Sequence, residues 1–159
     1  MSSARLAAWV EPVAAALRTS RSDIVEVARS ISSDAWARES PVPGWTYKDL
    51  LGHLAVGDWV FQTIVGAVTR GERVDLGVLH ELDSRNAKYR EERLERSVDE
   101  LVEETEKEGA ETQALLTRLS DADEGLKQHD APMSLGDYLR LFPSHDQEHL
   151  PQLRTALEG

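Results

Sequence analysis

Cysteine is absent from the chain, which excludes a disulfide framework, a thiolate metal cage and a protein thiol acting as nucleophile. Any sulfur chemistry must therefore come from a separate molecule. Basic side chains are scarce: 18 Lys and Arg stand against 29 Asp and Glu in 159 residues, a formal charge of -11. Such a surface repels phosphate backbones, so nucleic acid is not an expected partner. Long apolar runs are missing too. The richest, LAVGDWVFQTIVGAV, is broken by Asp58 and Gln62 and falls short of the roughly 20 residues a membrane span needs. The opening MSSARLAAWVEPVAAAL has no basic segment followed by a clean apolar one, being interrupted by Glu11 and Pro12, and reads as part of the fold. The expectation is a soluble, cytoplasmic protein without a membrane partner.

Alternating strand patterns are lacking, and helical periodicity dominates, so the fold class is all-α. The length suits one domain, residues 1–159, large enough to bury roughly two thirds of the unfolded surface. A first helix is predicted over Ala4–Ile31, with Leu6, Val10, Val13, Leu17, Ile24, Val27 and Ile31 on one stripe; Pro12 either kinks it or marks its start. After the turn-rich SPVPGW, Thr46 is placed to cap a second helix, with Asp49 completing a capping box. That helix is predicted to reach Arg70 and stop at Gly71. A shorter one spans Leu82–Leu94. Ser97 then caps a long acidic helix, whose buried stripe is Val98, Leu101, Val102, Thr105, Thr112, Leu115 and Leu119 and whose charges form a solvated outer face. The last helix is predicted to start near Ser134. Four main helices and one short extra helix describe a bundle, whose interior is where such folds place metals and cofactors.

The last helix reads LRLFPSHDQEHLPQLRTAL, with His145 and His149 four residues apart. At about 100° per residue, His149 falls about 40° from His145, on the face that also carries Tyr138, Phe142, Leu153 and Ala156. One helical turn brings two such imidazoles within reach of a single cation. A third ligand is offered by His53, which lies on the apolar stripe of the second helix with Leu50, Phe61, Ile64 and Val68. Gly57, one turn on, leaves room there for an ion and its waters, or simply allows close helix packing. Spacing alone leaves open that these are hydrogen-bonded core or surface histidines. His80 and His129 lie in connecting segments and read as surface residues. Without the paired Glu-x-x-His motifs of carboxylate di-metal bundles, a mononuclear site is the expectation.

The segment PVPGWTYKDLLGHLAVGDWV, followed by HDQEHLPQLRTAL, resembles the DinB/YfiT-like superfamily, including the N-terminal domain of mycothiol-dependent maleylpyruvate isomerases. The resemblance implies a four-helix bundle of DinB type with a long crossover, and one divalent metal ion on His53, His145 and His149. It further implies an enzyme that uses a low-molecular-weight thiol, mycothiol or bacillithiol, as cosubstrate to transfer sulfur to, or isomerise, a small electrophile. Other members are described as metal-dependent hydrolases, and a non-catalytic binder of a metal or small molecule is the remaining alternative. Imidazole ligation suits zinc, nickel, iron or manganese.

Asp146 and Asp49 are candidates for orienting an imidazole through its free N–H or for moving a proton; the simpler readings are a rim salt bridge for Asp146 and capping for Asp49. Trp45, Tyr138 and Phe142 are candidates to line a substrate pocket with Gly57, or ordinary core residues. Trp59 projects opposite His53 on its helix, which leads to the expectation of a homodimer, or of a loop packed over it.

Overall fold

The computed structural model describes residues 5–56, 59–72, 82–127 and 134–158, with residues 59, 60, 82 and 83 as backbone only. Gly57, His80, His129 and the Trp59 side chain therefore lie outside the described residues. The chain runs through α1 (Glu11–Ser30), α2 (Tyr47–Ala55), α3 (Trp59–Thr69), α4 (Leu82–Glu92), α5 (Val98–Leu116), α6 (Leu135–Leu139) and α7 (Phe142–Arg154), with short 3-10 turns at Asp121–Asp123 and Thr155–Leu157. Among the described residues there is no β-strand, only two isolated antiparallel bridges, Glu39 with Thr46 and Lys127 with Ser134. Among the described residues the fold is an all-α bundle. α1 packs on α5 and α7, α2 packs on α5 and α7, and α3 extends along α5. α4 lies in the long connection from α3 to α5 and leans on α2.

Helix boundaries follow local chemistry. The first helix begins at Glu11, not at Ala4, with Pro12 in its first turn, where a fixed φ and a missing N–H cost nothing. α2 is capped by Thr46 as predicted, with both hydrogen bonds of the capping box formed, but the helix predicted to reach Arg70 is two, α2 ending at Ala55 and α3 beginning at Trp59. α3 ends beside Gly71, which takes φ +70°, a left-handed conformation that glycine adopts without a steric penalty. Ser97 caps α5 by accepting from Glu100 N. The last predicted helix is in fact two. Ser134 caps α6, but Pro143 has no N–H to offer the carbonyl of Leu139, so the helix is interrupted and α7 restarts with Pro143 in its first turn.

The apolar interior falls into two clusters. One gathers Ile24, Val27, Leu50, Leu54, Leu101, Leu150 and Leu153; the other gathers Val13, Leu17, Phe61, Ile64, Leu116 and Leu139. On α1 the first cluster begins at Ile24 and the second ends at Leu17, with buried Ser20 and Arg21 between them. On α5, Thr105 and Thr112 are buried between Val102 and Leu116. On α7 the intervening residues include His145, buried Asp146 and His149. The bundle thus carries a polar layer across its middle, held between two hydrophobic halves. Polar groups so buried require partners.

Candidate metal centre

α2 delivers the first imidazole. Its capping box, Thr46 N to Asp49 Oδ2 at 3.0 Å and Asp49 N to Thr46 Oγ1 at 3.1 Å, fixes the start of the helix and so the direction of His53 near its end. Asp49 also accepts from Arg90 Nη2 at 3.1 Å. Burial raises the Asp49 carboxyl, but Arg90 and Thr46 outweigh it and hold the group below the usual carboxylate value. Its partners are Thr46 and Arg90, so the structure explains Asp49 as a cap.

α7 delivers the other two, His145 and His149, one turn apart with ring centroids 4.7 Å from each other. Each ring centroid lies 5.0 Å from that of His53. Nε2 of His53 is 3.1 Å from Nε2 of His145, and one ligand nitrogen from each of the three rings lies within 4.8 Å of the others. Two metal–nitrogen bonds of about 2.0–2.1 Å at a tetrahedral angle place their nitrogens about 3.3 Å apart, so the donors could hold one metal ion. On the α7 pair the outer nitrogens face polar partners, as those of metal-ligating histidines do. Nδ1 of His149 is 2.7 Å from Gln152 Oε1, and Nδ1 of His145 faces Asp146 Oδ1 at 3.8 Å. Burial, reinforced by the two neighbouring imidazoles, lowers His53 from 6.5 to about 3, so this ring is neutral and free to ligate at physiological pH. The His145 side chain is 38% exposed, which opens the cluster to solvent on that side.

Asp146 is not the rim residue its helical angle allowed. Its side chain is 3% exposed; it accepts from Ser20 Oγ at 2.9 Å and pairs with Arg21 Nη2 at 3.5 Å. Burial pushes its carboxyl up, but His145, Arg21 and Ser20 together hold it below the ordinary value. Trp45 stands against His53, ring centroids 4.9 Å apart. Phe142 packs edge-on to Phe61 at 4.9 Å and to Tyr138 at 5.3 Å, which draws both residues toward the second hydrophobic cluster. Burial raises the Tyr138 hydroxyl above its usual value.

The model of the DinB superfamily matches residues 16–153. The chain belongs to the DinB superfamily. No curated protein and no solved structure matches it. In this DinB bundle the imidazoles come from α2 and α7, the two rods that pack on each other across the polar layer.

Three contributors escaped the sequence reading. Gln152 follows His149 by three residues, a spacing at which side chains on a helix meet. Ser20 and Arg21 occupy the gap in the α1 stripe between Leu17 and Ile24. A charged residue on the buried face of a helix was the available signal, since such a group stays there only when paired.

Proposed function

We propose that the protein is a metal-dependent enzyme in which His53, His145 and His149 hold one divalent cation and a low-molecular-weight thiol of the mycothiol or bacillithiol type is the cosubstrate for S-transfer to, or isomerisation of, a small electrophile. The observation that carries the metal reading is the convergence of three imidazoles from two helices, with a side open to solvent. A cation held by three neutral ligands supplies Lewis acidity at its remaining positions, enough to let a thiol or a water lose its proton near neutral pH.

The chain's own residues act around that charge. His53, uncharged down to about pH 3, offers its nitrogen without competition from protons. Gln152 holds the outer nitrogen of His149, Asp146 Oδ1 stands 3.8 Å from that of His145, and Trp45 walls the His53 side. With no cysteine in the chain, the thiol must be exogenous. Zinc, nickel, iron and manganese all fit an imidazole set.

The partners proposed are a small-molecule substrate and a second copy of the chain, in the cytoplasm, with neither nucleic acid nor membrane. The acidic balance supports the exclusion of nucleic acid. Among the described residues no helix is long and apolar enough to cross a membrane.

The test is consumption of a haloaromatic or an epoxide by metal-loaded protein, with mycothiol or bacillithiol present and absent. Thiol-dependent turnover that disappears in His149→Ala is the expected result. Turnover without thiol would assign metal-dependent hydrolysis instead, and tight retention of a ligand without turnover would assign a binding protein.

A further inference from the structure

Arg21 lies on α1, which contributes none of the three histidines. Its aliphatic stem runs along α5 at Gly109, where a Cβ would stand 3.4 Å from Arg21 Cγ. Its guanidinium, 7% exposed with the rest of the side chain, then reaches two helices at once, a backbone carbonyl on α2 and a carboxylate on α7. Nη1 donates to the carbonyl of Leu54, the residue after His53. Nη2 donates to Asp146 Oδ1 at 3.5 Å, the residue after His145. The neighbouring Ser20 donates to the other oxygen of Asp146 at 2.9 Å.

We propose that Arg21 is a positioning residue for the metal centre, a rigid spacer that sets how far His53 on α2 stands from His145 on α7. This rests on reading the three histidines as a metal site. The guanidinium is planar and presents its N–H donors in fixed directions, so two bonds to two helices define a separation as well as an attraction. An ammonium at the same place is a point charge on a flexible stem and defines no separation. Leu54 is one residue from the end of α2, where carbonyls lack helical partners and the helix dipole favours a cation. The guanidinium thus ends α2 just past its ligand and orders the carboxylate that faces Nδ1 of His145.

Stability alone does not account for such a pair. Buried ion pairs are commonly replaceable by apolar residues of similar volume without loss of stability, and this one joins the two residues that follow two of the imidazoles.

The experiment compares wild type, Arg21→Lys and the double variant Arg21→Met with Asp146→Leu. Zinc affinity is measured by competition with a chromophoric chelator, ligand geometry by the visible spectrum of the cobalt(II)-substituted protein, and folding by circular dichroism and urea midpoint. The expected result is a folded Arg21→Lys protein that binds zinc about 10–100-fold more weakly, the range for residues that orient metal ligands, with a changed cobalt spectrum. The double variant is expected to fold and to show the same loss. Wild-type zinc affinity and an unchanged cobalt spectrum in either folded variant would overturn the proposal. Failure of the double variant to fold would overturn it too, by making Arg21 a purely structural residue. A wild-type protein that binds no zinc or cobalt would remove the metal reading itself, a different outcome from wild-type binding retained in the variants.

Discussion

Nε2 of His53 on α2 faces Nε2 of His145 on α7 at 3.1 Å, although 92 positions separate them in the chain. Two imidazoles so placed share a hydrogen bond in the metal-free protein and, on the proposed reading, a cation when one is supplied. Elemental analysis should find about one divalent ion per chain in wild type, the mononuclear expectation for a three-imidazole site. His53→Ala should weaken binding by at least the ~10–100-fold that partners outside the ligand set are worth. Full occupancy in that variant would place the ion elsewhere.

Gln152 fixes which nitrogen of His149 is turned outward, through the 2.7 Å contact to Nδ1. Gln152→Leu keeps the approximate size and removes that acceptor. Zinc affinity should fall by about tenfold, the lower end of the range for such partners, with thermal stability of the metal-free protein little changed. Isothermal titration against wild type checks this.

The metal-free protein should lose stability in acid through His53. Its pKa is lowered from 6.5 to about 3, by burial first and by its imidazole neighbours next, so between those values the unfolded chain binds a proton that the folded chain does not. Stability therefore rises with pH through this window and is lost as pH falls from 6.5 toward 3. The slope from this one ring is at most about 1.4 kcal/mol per pH unit. Asp146 adds loss in the same direction at lower pH, since its folded carboxyl sits below the ordinary value. Urea unfolding across the window should be markedly flatter in His53→Leu.

Asp49 tests capping against proton transfer. Its carboxylate accepts from Thr46 N and Arg90, so Asp49→Ala should cost about 0.5–2 kcal/mol in urea unfolding, as lost helix caps do. Metal content and turnover per bound metal should be unchanged. A large fall in turnover at full metal occupancy would restore Asp49 as a proton carrier.

Asp146→Ala leaves Arg21 buried without its carboxylate. Removing one partner of a buried pair costs about 3–5 kcal/mol, so this variant should unfold at a clearly lower urea concentration than wild type.

The bundle was legible because its stripes are regular: Leu17 with Ile24 and Leu101 with Val102 face inward as their spacing predicts, and Leu50 and Phe61 are buried too, though on two helices and not on the single one their spacing suggested. The inward face of His145 and His149 was legible for the same reason, since a helical angle can be computed from residue numbers alone. Partners on other helices were not. Ser20 and Arg21 reach Asp146 across more than a hundred residues, and no periodicity within α1 encodes what stands opposite. Pro143 was visible in the sequence, yet the periodicity of its neighbours carried straight through it. The run of apolar residues reports which face is buried, whereas a missing N–H decides where a helix stops.

The rod carrying His53 and the segment leading into it are also fastened to the turn after α7, with Tyr47 Oη 2.7 Å from Thr155 Oγ1 and Arg38 Nη2 donating to the Ala156 carbonyl at 3.1 Å. Two of the three imidazoles lie on α7, so a nascent polypeptide that has left the ribosome only as far as α5 holds just the one on α2. On the proposed metal reading, capture of an ion by all three imidazoles therefore waits until α7 has been made.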